Sequence, residues 1–552
     1  MSDRFHYFSL QYSAIQKTIL RHDRLWSMAG ISMILSELNE IILPGIAKKF
    51  SGKKQEETIL VAGGGKFTAR FDTEEKAENA KSEIIMELST RFPMLEFQIS
   101  GIHGPGKFSE FREKILEELK KQKQNFRGYG LSFTPHLEVC GECGEYPAVK
   151  GKTVKKKPVC TVCHMAKNAA FDLKNLIWHY KERLASTTLG KIYCQYVAEV
   201  PRAADAEIPF NFEDLFPKNE NSEGEQKKRM AVWFSDINSM KAKVTVWLNQ
   251  EETKVFETFQ QVRDVFSAIA VNALVKTFPD GIFPDNPDKK ETFLPFRIII
   301  AGGDDFCIVM DEKYIPDFVF NLSLALNDEF DNLPPDHPLR KDWLKATYED
   351  LKKKNPDDFR VNKEDIEQPY CFGGSFIVCS LHTPFRKIHE IGEDLMKSAK
   401  QETDRQGNSV NWRIMAEEES ETDKLLDFEK PVFIQKHYGK KEWDRLSFEE
   451  YMHLREKYSK KVKISSSHRQ QIAAKMIELL NKRDNRDKPL QAEKLERWLM
   501  SHGASELEKS FAGLLKEDIL RINQDKDGGL MPERLGTLLE LLSIGGQTDG
   551  NK

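Results

Sequence analysis

Two adjacent aspartates stand in the run Ala301-Gly302-Gly303-Asp304-Asp305-Phe306, and a third, Asp236, follows the apolar run Ala231-Val232-Trp233-Phe234. Carboxylates gathered at neighbouring strand ends can hold two Mg²⁺ or Mn²⁺ ions roughly 4 Å apart, one at an attacking hydroxyl and one at a departing phosphate. That is the chemistry of phosphoryl transfer from a nucleoside triphosphate, where a protein supplies charge neutralisation and positioning. Gly302 and Gly303 carry no side chain, so a nucleotide can approach the backbone closely. Ile237, through its carbonyl, and Asn238 come next in the chain and are candidates for nucleotide contact. Gly-Gly-Asp-Asp is also an ordinary hairpin turn. The metal reading depends on the strand that ends in Asp236 lying beside the strand Phe306–Met310.

Cys140-x2-Cys143 and Cys160-x2-Cys163 are separated by sixteen residues. Two such pairs place four thiolates around one ion and close its coordination sphere, which is structural zinc rather than catalysis. His164 adjoins the set as a surplus residue. Lys155, Lys156 and Lys157 form a run between the pairs, read as a solvated loop that can meet RNA backbone. The other cysteines, Cys194, Cys307, Cys371 and Cys379, lie in apolar stretches and read as small buried hydrophobes.

These groups must be held by a frame. Phe296–Ala301 and Phe306–Met310 read as two apolar strands around the Gly-Gly-Asp-Asp turn. A helix over about 254–278 precedes them, and a strand, Cys371–Ser380, follows. Thr383 as N-cap and Pro384 as first residue open a helix reaching about Gln401. An earlier copy has the same layout: a helix over 12–43 stopped by Pro44, then strand, Gly63-Gly64-Gly65, strand, and a helix over about 72–92 capped by Asp72. In that copy Lys66 and Phe67 stand where the later one has two aspartates. It lacks the carboxylates for metal, and Gly64 and Gly65 remain as backbone contacts for a nucleotide or as a plain turn. Further expectations are a helix over 166–186, a strand over 191–199, an exposed loop over 217–229, a charged insertion over 332–367, irregular chain over 402–430, and a helical bundle over 446–543.

The paired glycine-turn hairpins, the acid-terminated strand and the four-cysteine module together resemble the large polymerase/cyclase subunit of type III CRISPR effector complexes. IQKTILRHDRLWSMAGISMILSEL is similar to that family's opening palm helix, VAGGGKF to its first-palm turn, and GGSFIVCSLHTPFRKIHEIGEDLMKSAK to the strand and helix that close its second palm. The resemblance implies an α+β fold of two ferredoxin-like palms with a zinc module between them and a helical C-terminal domain. The corresponding bounds are 1–135, 136–185, 186–430 and 431–552. It implies synthesis of cyclic oligoadenylate from ATP, with Asp236, Asp304 and Asp305 carrying the metals and Lys400, or Lys397 as second candidate, on the triphosphate. It also implies CRISPR RNA, target RNA and a small helical subunit as partners in a ribonucleoprotein complex. Many family members open with an HD nuclease domain. Here the first helix begins near the start, and His22-Asp23 lies inside it, so DNA cleavage is not expected. A non-catalytic RNA-binding scaffold and a stand-alone cyclic-dinucleotide synthase are the alternatives.

Composition agrees with several domains. The chain has 552 residues, 39% hydrophobic and 31% charged, with a net charge of −4. A chain this slightly acidic binds nucleic acid through local patches or partners, not by overall charge. No contiguous run of about 18 apolar residues is present, and a cytoplasmic protein without a membrane partner is expected.

Overall fold

Each glycine turn closes a hairpin inside its own sheet. The computed structural model describes residues 5–13, 15–20, 23–92, 95–125, 138–144, 146–154, 156–176, 182–216, 228–279, 292–302, 304–354, 361–415, 432–435, 447–459, 541 and 544. Gly303, His22, Lys155, most of the loop expected over 217–229 and most of the bundle expected over 446–543 lie outside these residues.

The first part contains β1 (Phe5–Tyr12), α1 (Ile15–Ile19), α2 (Leu25–Glu37), α3 (Leu43–Ser51), α4 (Gln55–Thr58), β2 (Ile59–Gly63), β3 (Lys66–Phe71), α5 (Glu74–Arg91), β4 (Phe97–Ile99), β5 (His103–Gly106) and α6 (Phe108–Asn125). Its sheet runs β2-β3-β1-β4, with β5 also pairing β1. A short hairpin, β6 (Thr153–Val154) and β7 (Lys157–Pro158), then leads to α7 (Thr161–Lys174), α8 (Glu182–Ala185), α9 (Thr188–Glu199) and β8 (Ala206–Glu207).

The second part has β9 (Arg229–Ile237), α10 (Met240–Leu248), α11 (Glu252–Thr277), β10 (Thr292–Phe293), β11 (Phe296–Ala301), β12 (Asp305–Asp311), α12 (Ile315–Asn332), α13 (Lys341–Lys354) and α14 (Lys363–Glu367). β13 (Phe372–Ser380), α15 (Phe385–Glu402), β14 (Ser409–Ile414), β15 (Val432–Phe433) and α16 (Phe448–Ser459) complete it. This sheet runs β11-β12-β9-β13-β14-β15. Its first four places repeat the order of the first sheet: the hairpin's second strand pairs the opening strand, and the closing strand takes the opening strand's other edge.

The strands of the second sheet read as unbroken apolar runs because both faces are covered. On one face Trp233, Ile298, Ile308, Met310 and Phe376 join a core with α9, α11 and α12. On the other, Met230, Val232, Phe234, Ile299, Val309 and Ile377 meet α2, α7 and the start of α15. Helix α2 therefore belongs to the core of the second sheet although it precedes the first hairpin. A Cβ on Gly30 would run into the backbone of Ala166, so this glycine lets α2 and α7 lie against each other. The stretch Leu25–Ser51 is long and apolar enough to cross a bilayer, and 56% of its most apolar window is buried inside the fold.

Helix α11 joins the two parts. Near its start Glu252 accepts hydrogen bonds from Tyr7 Oη (2.9 Å) and Phe108 N (2.6 Å) and pairs with Arg70 (3.2 Å), all on the first sheet or α6. Its remaining length carries Val262, Ile269 and Leu274 into the second core.

Several expectations are corrected. The helix over 12–43 is a strand end, two helices and a π-helical stretch, Leu38–Ile42, that runs straight into α3. Pro44 does not stop it: its fixed φ suits the first turn of α3, which the chain enters directly from the π-helical stretch, the Leu43 N–H donating to the Leu38 carbonyl. Residues 191–199 are helix, not strand: Thr187 Oγ1 caps α9 by accepting from Gly190 N at 3.1 Å, and Leu189, Ile192, Tyr193 and Tyr196 form one buried face. The helix expected over 166–186 begins at Thr161 and ends at Lys174. The insertion over 332–367 contains α13 and α14. Thr73, not Asp72, caps α5, accepting from Lys76 N at 3.3 Å. Pro384 occupies the cap position of α15, and no side chain of its own serves there. Within 402–430, Ser409–Ile414 is a strand paired in parallel with β13.

Candidate functional site

The β12–β9 ladder places Asp305 directly opposite Asp236, and the β9–β13 ladder places Gly373 on the other flank of Asp236. Asp304 sits in the turn just before β12, where Gly302 N donates to the Asp305 carbonyl at 2.9 Å. Three carboxylates thus share the mouth of two adjacent strands. Burial first, then the charge of Asp236, pushes the Asp304 carboxyl up to about 6. Burial first, then Asp304 and Asp236, pushes Asp305 up to about 7. Like charges crowded in a poorly solvated place hold their protons. The donor chemistry suits a divalent cation, although the three aspartates do not form a tight cage of the kind the cysteines do.

Lys400, in the last turn of α15, makes an ion pair with Asp236, the lysine side chain being 12% exposed and the aspartate 31%. Its route passes over β13 at Gly373. A Cβ there would lie 2.9 Å from Lys400 Cε and 3.1 Å from Cδ, so the glycine makes the path. Glycine inside a strand often marks such a close approach, and that signal was available in Gly373-Gly374. Lys397 instead pairs with Glu393 at 3.3 Å and is 59% exposed.

The first sheet reaches the same mouth. In its turn Gly63, Gly64 and Gly65 have φ of 151°, 56° and 73°, a run that side-chain-bearing residues adopt at a cost. Tyr12 N donates to the Gly65 carbonyl at 2.9 Å. Gly65 is filled against by the Ile15 side chain, whereas Gly64 faces open space. Gln16, next on α1, donates to Asp305 Oδ2 at 3.5 Å. Partial withdrawal from water, then the positive charge of Arg112, lowers the Lys66 ammonium below its usual range, with Asp304 opposing and Lys241 adding to the effect. Arg112 Nη2 reaches Thr245 Oγ1 at 3.5 Å, which ties α6 to α10. Three cations from three elements therefore gather at the first turn, Lys66 on β3 with Arg112 on α6 and Lys241 on α10 around it, and Lys66 is the one that meets the field of Asp304. Among the described residues none of the three has an ion-pair partner. Gln16, Arg112 and Lys241 carried no signal in the sequence, because only the docking of the two sheets brings them together.

Asn238 is turned inward, 2% exposed, with Nδ2 on Cys371 Sγ at 3.1 Å and its N–H on the Cys371 carbonyl at 2.8 Å. It pins the end of β9 to the start of β13 rather than facing the mouth, because the chain turns at Ser239, φ 59°, to begin α10. The Ile237 side chain is likewise in the core at 8% exposure.

The four cysteine sulfurs lie within 4.8 Å of one another, and Cys143 Sγ is 3.9 Å from Cys160 Sγ. Four ligands at roughly 2.3 Å in a tetrahedron put their sulfurs close to that spacing. Gly144, φ 66°, donates to the Cys140 carbonyl, and Cys163 N points at Cys160 Sγ at 3.4 Å. Hydrogen bonding with the Cys143 sulfur, first, pushes the Cys160 thiol up to about 12. Cys160 is also the cap residue of α7 and Cys163 lies in its first turn, so the four-cysteine cluster and the helix packed on α2 share two residues. His164 turns to Asn168 at 3.4 Å.

No known family profile and no curated protein matches the chain. Among solved structures it is similar to Csm1 of T. onnurineus (14% identity, TM-score 0.46, 98% of this chain and 69% of that one). It is also similar to a Csm1-Csm4 cassette in complex with cA4 (14%, 0.49, 99% and 70%) and to one in complex with one ATP (12%, 0.47, 98% and 70%).

Proposed function

We propose that this chain is a metal-dependent nucleotidyltransferase that joins ATP units through 3′–5′ linkages and closes them into cyclic oligoadenylate, as the large subunit of a type III CRISPR-like effector complex. The observation that carries the reading is the register pair Asp305–Asp236 beside Asp304, three acids on two adjacent strand ends with two of them holding protons far above the usual carboxylate range. The two sheets are read as two palms, 1–135 and 186–430, with the second catalytic. In it Asp236, Asp304 and Asp305 would hold Mg²⁺ or Mn²⁺, which would activate the attacking hydroxyl and stabilise departing pyrophosphate. Lys400, paired with Asp236 at the edge of the acid cluster, is the side chain that would meet a triphosphate oxygen there. Lys66, Arg112 and Lys241 are the side chains suited to further phosphate oxygens, with Gly64 as the open backbone of the first turn. The cysteine module, 136–185, would hold structural zinc, and 431–552 would serve assembly with CRISPR RNA, target RNA and a small helical subunit.

The test is incubation of the assembled complex with labelled ATP and Mg²⁺ or Mn²⁺, with products identified by mass spectrometry. Asp304→Asn with Asp305→Asn should reduce ring synthesis by more than about 10³-fold, several kcal/mol of transition-state stabilisation, at unchanged zinc content. A double variant that still makes rings at near the original rate would remove the turn from the mechanism. The scaffold reading would then stand.

A further inference from the structure

Helix α15 is held at both ends by aspartates that lie far apart in the chain. At its end, Lys400 meets Asp236. At its start, the Phe385 N–H donates to Asp23 Oδ1 at 2.7 Å, across 362 residues of sequence. The cap position itself is Pro384, whose side chain offers no acceptor, so the Phe385 N–H that opens α15 is satisfied by a carboxylate from the other part of the molecule. A negative group at a helix start also complements the helix dipole. Between its ends the helix spans about 27 Å at 1.5 Å per residue. It is held midway, where Ser375 Oγ donates to the Gly392 carbonyl at 2.8 Å, and near its end by β14, where Ser409 Oγ donates to the Ala399 carbonyl at 3.2 Å and Asn411 Nδ2 to Ser398 Oγ at 3.3 Å. Seven residues before Asp23, Gln16 touches Asp305. Gln16 therefore contacts the acid cluster directly, and Asp23 reaches it through α15.

We propose that Asp23 is a positioning residue: by capping α15 from the opposite part of the molecule it sets the seat of the helix along β13 and β14, and with it the stand of Lys400 against Asp236. Its meaning for catalysis rests on the nucleotidyltransferase reading, whereas the Asp23–α15–Lys400 linkage does not.

Amine acylation of the full chain, read lysine by lysine by mass spectrometry, tests the linkage without any activity. Lys400 should label slowly and Lys397, on the same helix and well exposed, quickly. Asp23→Ala should raise Lys400 labelling by up to about fivefold, the scale of a lost cap, with Lys397 unchanged. Asp23→Asn keeps an acceptor of the same shape and should restore the slow rate, while Asp236→Asn should release Lys400 fully. If Asp23→Ala does not fold, Asp23→Glu displaces the carboxylate by one methylene and should give an intermediate rise. Unchanged Lys400 labelling in the folded variant, alongside a clear rise in Asp236→Asn, overturns the proposal, as does a rise in Asp23→Asn equal to that in alanine. In the turnover assay Asp23→Ala should lower kcat at unchanged KM, with recovery in Asp23→Asn. Turnover absent from the unaltered complex would sink the nucleotidyltransferase reading while the labelling still decides this one.

Discussion

The two glycine turns occupy the same place in sheets of the same strand order and carry opposite charge. In the first, three glycines in positive-φ conformations lead into Lys66. In the second, the glycines lead into Asp304 and Asp305, opposite Asp236. Docking sets the two against each other, so the cation of one turn lies in the field of the acids of the other. A turn that has lost its acids is therefore not idle. It contributes the complementary charge, and one mouth is lined by two unlike hairpins.

That comparison can be broken most severely by reversing one charge. Lys66→Asp adds a fourth carboxylate to three that already repel, and should cut nucleotide turnover by about 10²-fold, near 3 kcal/mol. Lys66→Arg should retain most of it. Equal activity in Lys66→Asp and the unaltered protein would show that the first turn has no electrical part in the site.

A smaller effect separates the two copies by pH. Asp304 and Asp305 hold protons in the folded protein up to about pH 6 and 7, against a reference value of 3.8. The folded state thus binds more protons than the unfolded chain between about pH 4 and 7. Metal-free stability should fall as pH rises through that window, by on the order of 1–3 kcal/mol after solvent screening. Turnover should move the other way, rising between pH 6 and 8 as the acids become free to bind metal. Thermal melts without added Mg²⁺ or Mn²⁺ and without chelator, repeated on Asp305→Asn, check the sign: the variant should lose much of the slope. Melts that stay flat or rise over the window would contradict it.

The smallest expected effect is Gly64→Ala. Its φ of 56° costs a side-chain-bearing residue about 1 kcal/mol, yet nothing lies within 4 Å of the added methyl. A drop of a few degrees in melting temperature with less than about threefold loss of turnover is expected. A much larger loss of turnover would mean that the nucleotide lies directly on Gly64.

Much of the site was legible because it is local. The Gly-Gly-Asp-Asp hairpin, the acid after Ala231–Phe234 and the cysteine spacing are each contained in a few residues. What escaped was set by distant packing. β1 was passed over because Tyr7 faces α6 while Phe8 and Leu10 face α3 and α5, which blurs the alternation expected of a half-buried strand. α9 was misread because Ile192, Tyr193 and Val197 favour strands, and its 3.6-residue face outweighed that preference. β14 was missed because Ser409 and Asn411 are polar yet buried, their side chains bonded to Ala399 and Ser398 of α15. Gln16, Lys66, Arg112 and Lys241 are brought together only by docking of the two parts.

Helix α11 bears on how this molecule melts. Its 26 residues start in a knot of Tyr7, Arg70 and Glu252 on one sheet and end under the core of the other. A helix cannot lose half its length without exposing the apolar face of the rest, and the Arg70–Glu252 pair is costly to leave half-made. Heat should therefore be absorbed by both sheets in one event: a calorimetric scan of the metal-loaded protein should show them unfolding in a single peak. Cutting the chain between the sheets should yield two pieces that aggregate apart and regain structure only when mixed.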